Sequence, residues 1–442
     1  LTYNKGCKII FKVKSVRKVR CLKGELRVPS DKSISHRAVI LPALAEGESY
    51  VQEWLWSKDT LATLNIIRAL GVKVRHENGT LRIKGSNFEL LEPQRVLDAK
   101  NSGTTARLML GVLATQRFFA VLTGDQSLRR RPMLRVVEPL RRMGAHLDGR
   151  EGGDKLPIAI RGGALKGISL FNKKASAQVK SCVLLAGLRA EGITEVYEPY
   201  LSRDHTERLL SAMGVKLISY DGKDGRVVKL EGGQTLKATE ILCPADPSSA
   251  AFFTAGAVLL KGSEILLKDV LVNPTRDGFF RKLREMGAHV QYENLREISG
   301  EPVADVYVKY SGGLKAVDVH PEEVPSLIDE IPILAIVMAH AQGVSTVRGA
   351  GELRVKESDR IKAIVENLRR MGAKVEEYED GFSIEGGTPL RGALIKTYGD
   401  HRIAMGFAIA GLTAEGETQI DNPECVAVSY PNFFQDLERL IC

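Results

Sequence analysis

Five times along this chain a helix-forming stretch ends in Leu-Gly or Met-Gly followed by Val or Ala, passes into a short alternating segment, and usually closes on Gly-Gly. The turning glycines are Gly71, Gly144, Gly214, Gly287 and Gly372, at intervals of 73, 70, 73 and 85 residues. Repetition at a fixed period restricts architecture more than any local propensity does, because each copy must bury its apolar face in the same way. A period of about seventy residues is too long for a solenoid of single helix pairs and suits a compact α/β module.

Within each copy the helix stops where glycine can take the left-handed conformation, as at Leu283, Met286 and Gly287. A period of two then replaces the helical period. Val306, Val308 and Tyr310 are expected on one face of a strand and Tyr307 and Lys309 on the other, with Ile158, Ile160 and Val375 in similar short runs. Five copies and a degenerate sixth in 442 residues divide naturally between two domains.

A chain that is 26% charged and 44% hydrophobic can bury sizeable cores. Its longest apolar runs, near Ala250 to Leu260 and Ile331 to Ala339, fall well short of the roughly 18 residues of a membrane span. Lys5, Lys8, Lys12 and Lys14 interrupt any signal-like apolar core, so a cytoplasmic protein without membrane association is expected. Cys7, Cys21, Cys182, Cys243, Cys425 and Cys442 form no Cys-x-x-Cys pair and read as reduced, mostly structural thiols. The eight histidines lack metal-site spacing, and neither a Walker loop nor a dinucleotide fingerprint is present, so no metal and no cofactor is expected. A net charge of +9 fits nucleic acid or small acidic substrates, but 6% aromatics without a dense basic tract offers no stacking platform.

The positive charge has a pattern of its own, for basic and hydroxyl residues recur where helices should begin. A helix start carries unpaired N–H groups and a partial positive charge, so it stabilises a phosphate or carboxylate without a metal. Ser30 to Arg37 opens a helix toward Leu44, with Lys32 near its start and Arg37 about one turn on. Asn101-Ser102-Gly103-Thr104-Thr105 opens another, where Gly103 permits close backbone approach. Ser176-Ala177-Gln178 begins the helix through Leu185, and Ser202-Arg203-Asp204 caps the helix through Leu210. Arg354 to Arg360 leads into the helix ending at Met371, and Asp400-His401-Arg402 opens the helix through Ile409. Any one of these alone reads as an N-cap with an exposed basic neighbour. Together they read as a set of anion sites.

In this order, Val28 to Arg37, Asn101 to Thr104, Arg130-Arg131-Pro132, Arg354 to Arg360 and Asp400-His401-Arg402 make the chain resemble the enolpyruvyl transferases, over nearly its whole length. The Asp-Lys-Ser-Ile-Ser-His-Arg motif is similar to that of the members acting on shikimate 3-phosphate. The resemblance implies an α/β fold: a two-domain inside-out α/β barrel built from six βαβαββ repeats, three per domain. One domain would be continuous over 30–245, and the other would join 1–29 to 246–442, with its last helix at Asn432 to Leu440. The implied protein is a monomer without nucleic-acid partners, whose small-molecule substrates meet in the cleft as it closes.

The implied reaction moves the enolpyruvyl group of phosphoenolpyruvate to the 5-hydroxyl of shikimate 3-phosphate and releases phosphate. By the same resemblance, Asp329 accepts the hydroxyl proton, Glu357 exchanges the proton at the methylene carbon, and Lys32 assists. Shikimate 3-phosphate would be held by Lys32, Ser33, Arg37, Ser176, Gln178, Arg203, Asp329 and Lys356. Phosphoenolpyruvate would be held by Lys32, Gly103, Arg131, Gln178, Arg360 and Arg402, since a guanidinium fork grips an oxyanion at two points. Glu330 and Asp359 are expected to be helix caps. His401 is open between an orienting role in the site and a surface position.

The chain departs from the family pattern at four places. Val428 stands where many members carry a lysine, Ala177 where many have a second serine, Glu352 where many have asparagine, and Leu108 in place of a frequent proline. The nucleotide-sugar enolpyruvyl transferases, which usually present a loop cysteine, are the nearest alternative, but no cysteine lies between Cys21 and Cys182. A repeat-built RNA-binding scaffold is the alternative from another class; Glu357 between Lys356 and Arg360 would repel a backbone phosphate.

Overall fold

The computed structural model describes residues 13–223 and 225–442, so Lys5, Cys7, Lys8 and Lys12 lie outside the described residues. Its strands form six small sheets, five of four strands and one of three. One unit shows the repeat in full. Ser169–Phe171 runs parallel to Ile193–Glu198 across the helix Ala177–Gly187, and the helix His205–Ala212 leads into the hairpin Leu217–Gly222 with Gly225–Glu231. This is βαβαββ. The two-domain α/β architecture of six repeats follows from copying it.

Two units borrow their first strand from elsewhere in the chain. Glu240–Leu242 lies parallel to Glu48–Gln52, and Lys23–Leu26 lies parallel to Glu264–Leu271. The three-stranded sheet is the degenerate copy, in which Lys14–Arg17 pairs antiparallel with Glu417–Ile420 and Leu394–Ile395 pairs parallel with it.

The two helices of a unit differ in kind. Lys32–Leu44, Gly103–Ala114, Ala177–Gly187, Pro247–Leu259, Ile331–His340 and His401–Thr413 are buried almost all round and make the interior. The packing is close. A Cβ added at Gly111 would stand 2.3 Å from the Cys182 carbonyl oxygen, so only glycine lets those two helices touch. The second helix of a unit is amphipathic, as in Leu134–Met143 and Arg360–Arg370, and ends at the repeated glycine. Gly71, Gly144, Gly214, Gly287 and Gly372 all have positive φ, from 87° to 110°.

The buried apolar residues form two clusters. One runs from Ile34 to Cys243 with Leu271, the other gathers Val16 to Val28 and residues from Ala245 to Leu440. Two chain crossings join them, recorded by Asp31 N–H donating to the Pro244 carbonyl at 2.7 Å and Asp246 N–H donating to Pro29 at 2.9 Å. Among the described residues no helix is long and apolar enough to cross a membrane.

Three expectations need correction here. The strand ends at Lys309, with Val306 and Val308 buried, Tyr307 partly buried and Lys309 exposed, while Tyr310 lies past the strand and is exposed, the chain there bonding from Ser311 N–H to the Val258 carbonyl of a helix at 3.0 Å. Cys21 and Cys442 are not free thiols but a disulfide: a β-bridge between Leu22 and Ile441 and a 3.1 Å bond from Cys442 N–H to the Cys21 carbonyl bring the pair together. Cys182, Cys243 and Cys425 remain free and buried. Ser202 does not cap its helix, which starts after Asp204; its hydroxyl donates instead to Glu198 at 2.7 Å.

Candidate active site

The repeats place helix starts, the most electropositive points of the backbone, around a single cleft of about 410 Å³. Lys32 and Ser33, Gly103 and Thr104, Ala177 and Gln178, and His401 and Arg402 enter it from the first turns of four buried helices. Asp329 enters just before a fifth. Arg203 and Arg360 come from the starts of outer helices. Arg37, Arg131, Ser176, Lys356 and Glu357 complete the set, so every site residue named from the sequence lines this cleft.

The local cause is capping. Asp31 accepts from Ile34 N–H at 2.7 Å and Ser102 from Thr105 N–H at 3.1 Å, which fixes the turns carrying Lys32 and Gly103. Asp359 accepts from Lys362 N–H at 3.0 Å, and Asp400 accepts from Arg402 N–H at 2.9 Å. Asp359 is thus the cap expected of it. Glu330 takes the N-cap position of Ile331–His340 but makes no side-chain cap bond: it is buried, takes a short hydrogen bond from the Ser248 hydroxyl and stands 3.8 Å from Arg402.

Two carboxylates sit at the centre, bridged by one guanidinium. Arg360 donates to Asp329 at 3.2 Å and to Glu357 at 2.7 Å, while Asp400 holds it from below through Nε at 2.8 Å. Arg203 bonds the other oxygen of Asp329 at 2.6 Å, and Lys356 lies 3.7 Å from it. Arg131 stands 3.5 Å from Glu357. Burial alone would raise both acids. Lys356, Arg203, Arg402 and Arg360 overcome it at Asp329, and chiefly Arg360, Arg131 and Lys32 overcome it at Glu357, so both are held well below the usual carboxylate range.

The cations respond in turn. Burial brings the Lys356 ammonium down to about 8, opposed by Asp329 and reinforced by Arg360. His401 is fully buried, which removes its surface reading; burial and nearby Lys32 push it down to about 3, leaving a neutral ring. Neither ring nitrogen, nor Nε of Arg131 or Arg402, has a hydrogen-bond partner among the described residues.

Several cleft residues were missed in the sequence, Arg107 and Asp59 among them. Arg107 donates to Gln178 at 2.7 Å and to the Pro132 carbonyl at 3.0 Å, and a Cβ on Gly103 would lie 2.7 Å from its guanidinium. Its spacing of four from Gly103 puts both on one helix face, which is the signal that could have found it. Asp59, near the start of the helix Lys58–Ala69, accepts from Lys32 Nζ at 3.1 Å, and burial raises its pKa. Ser57 and Thr60, as a capping box, mark that helix start in the sequence. Of the departures, Glu352 lines the cleft and accepts from Arg135 at 2.7 Å and Lys174 at 2.8 Å, and Ala177 lines it too.

One group away from the cleft has the donors of a cation site: Asp204, His205 and Glu301. Arg208 already stands 2.9 Å from Asp204 and 3.7 Å from Glu301, and Arg276 lies 3.5 Å from His205, so guanidiniums supply the positive charge there.

A family model described as EPSP synthase (3-phosphoshikimate 1-carboxyvinyltransferase) matches residues 16–437. The 3-phosphoshikimate 1-carboxyvinyltransferase of Aquifex aeolicus (strain VF5) is 63% identical over 429 residues, covering 97% of this chain and 100% of that protein. That of Persephonella marina is 56% identical over 429 residues, covering 97% and 99%. Among solved structures, an EPSP synthase from Acinetobacter baumannii is similar with a TM-score of 0.85 at 42% identity, covering 97% of this chain and 98% of that one. The chain belongs to the EPSP synthase (3-phosphoshikimate 1-carboxyvinyltransferase) family.

Proposed function

We propose that the protein transfers the enolpyruvyl group of phosphoenolpyruvate to the 5-hydroxyl of shikimate 3-phosphate and releases inorganic phosphate. The observation that carries this reading is Arg360 bridging Asp329 and Glu357: two ionised acids ringed by cations within one cleft. Two anionic substrates supply the charge such a ring requires.

The chemistry follows from which groups change partners. Asp329 rests ionised and accepts the proton of the 5-hydroxyl as that oxygen attacks the central carbon of phosphoenolpyruvate. The methylene carbon takes a proton in the same addition, and the tetrahedral adduct then returns one as the carbon–oxygen bond to phosphate breaks. Glu357 exchanges that proton. In the unliganded cleft Arg360 and Arg131 keep Glu357 ionised. The phosphoenolpyruvate carboxylate engages Arg360 and Arg402, and its phosphate engages Lys32, Arg131, Gln178 and the Gly103 backbone. Their anionic charge then offsets the cations around Glu357, which raises its proton affinity so that it takes up a solvent proton, gives it to the methylene carbon and recovers it as phosphate departs, while the hydroxyl proton held by Asp329 leaves with the phosphate. Lys32, paired with Asp59, balances the developing charge.

Shikimate 3-phosphate lies against Lys32, Ser33, Arg37, Ser176, Gln178, Arg203 and Lys356, with its reacting hydroxyl at Asp329. The two apolar clusters support assigning residues 30–245 to one domain and 1–29 with 246–442 to the other. A monomer acting in the cytoplasm completes the proposal. The test is phosphate release from phosphoenolpyruvate in chelated buffer, with shikimate 3-phosphate or UDP-N-acetylglucosamine supplied separately. Release only with the former is expected; release only with the nucleotide sugar overturns the acceptor, and silence with both overturns the reaction.

A further inference from the structure

Behind one wall of the cleft, and used by no step above, lies a buried ion triad. Lys180, with no solvent exposure, donates to Glu198 at 2.9 Å and pairs with Glu207 at 2.7 Å. Burial works to lower the Lys180 ammonium, but Glu207 and Glu198 prevail and hold it above its ordinary value, so the group keeps its charge. Such a triad is a poor device for stability, because desolvating three charges cancels most of their attraction and apolar residues of similar volume do as well. Its use lies in what else it holds.

The bonds of Glu198 run toward the cleft. Oε1 accepts from Asn172 Nδ2 at 2.8 Å and from the Ser202 hydroxyl at 2.7 Å, and Oε2 from Ser202 N–H at 3.4 Å. Asn172 then grips Ser176 by both backbone groups, donating to its carbonyl at 2.9 Å and accepting from its N–H at 3.2 Å. Between them Ala175 sits at φ 46°, a left-handed conformation that alanine keeps only when its surroundings impose it. One sealed carboxylate thereby ties together the loop that presents Ser176 and the turn that presents Arg203, and Lys180 adds a longer bond to the same turn through the Ser202 carbonyl at 3.4 Å.

We propose that Glu198 is a positioning residue for the shikimate 3-phosphate side of the cleft, setting Ser176 through Asn172 and the Arg203 turn through Ser202. The inference rests on the substrate reading given above. Asn172→Ala cuts one link, Ser202→Ala removes the shorter bond of the other and leaves the longer backbone one, and both leave the triad whole; Glu198→Gln weakens both links. Each single-link variant is expected to raise KM and the calorimetric Kd for shikimate 3-phosphate about tenfold, the worth of one well-placed hydrogen bond. Turnover and the KM for phosphoenolpyruvate should stay within about twofold. The Glu198→Gln effect on shikimate 3-phosphate should exceed either.

A merely structural role would lower the thermal midpoint and leave the ratio of the two KM values unmoved. That result overturns the proposal, as does an equal loss for both substrates. If Glu198→Gln fails to fold, Asn172→Ala and Ser202→Ala decide the matter, since their triad is intact. Wild-type protein run alongside separates the two failures. No wild-type turnover with shikimate 3-phosphate overturns the substrate reading together with this inference, whereas normal wild-type turnover with unshifted variants overturns this inference alone.

Discussion

Replacing Glu357 by Gln keeps the side chain's length and one oxygen for Arg360 but removes the exchangeable proton site. If Glu357 handles the methylene proton, turnover should fall by roughly 10²–10⁴-fold, the usual worth of a positioned acid or base, while both KM values change by only a few-fold. An unchanged turnover number removes Glu357 from the chemistry. Lys356 yields a pH prediction whose sign follows from its burial. Its ammonium titrates near 8, below the ordinary lysine value, so raising the pH through about 8 discharges a cation facing the substrate and Asp329. KM for shikimate 3-phosphate should therefore climb on the alkaline side of about 8. In Lys356→Arg, which stays charged, the climb should move to higher pH; identical KM–pH curves would exclude Lys356 as the cause.

At the scale of the element, the helix starts at the site include four held by side-chain caps, from Asp31, Ser102, Asp359 and Asp400, and each cap can be tested alone. Asp359→Ala removes the acceptor for Lys362 N–H and a 2.8 Å pairing with Arg354. It should destabilise the protein by about 1 kcal/mol, lowering the urea midpoint, and Asp359→Ser should recover most of that; equal midpoints for wild type and Asp359→Ala would show the cap to be redundant. The same elements explain what the sequence disclosed. Repeating glycines, alternating strands and Ser/Asp caps are local signals, so the units, the helix starts and their basic residues were legible. What was hidden depends on distant partners. Glu330 has the sequence of a cap and the position of a buried counter-ion because Ser248 and Arg402 reach it from other helices. Cys21 and Cys442 are 421 residues apart, and no local pattern records their pairing. Asp59 becomes a site residue only because Lys32 reaches across from another helix.

For the whole molecule, the contacts that span the cleft matter most. Glu352 takes Arg135 and Lys174 from the opposite wall, and burial notwithstanding, those two cations hold its carboxyl down to about 2, so the link stays charged at neutral pH. Glu352→Gln should let the unliganded protein open, which small-angle scattering would record as a larger radius of gyration that returns to the wild-type value with both substrates bound; equal radii without ligand would show that this link does not hold the walls together. The Cys21–Cys442 bond acts at the same scale, since it restrains an unfolded loop of nearly the entire chain. Cys442→Ser should lower stability by on the order of 2–4 kcal/mol, and a thermal midpoint insensitive to both that change and reductant would show the bond to be idle. There is also a topological consequence. Between those two cysteines the polypeptide is a covalent ring, so a single backbone cut anywhere in it, even at an exposed hairpin tip such as Asn78-Gly79, leaves one molecule whose two cleft walls remain at high effective concentration.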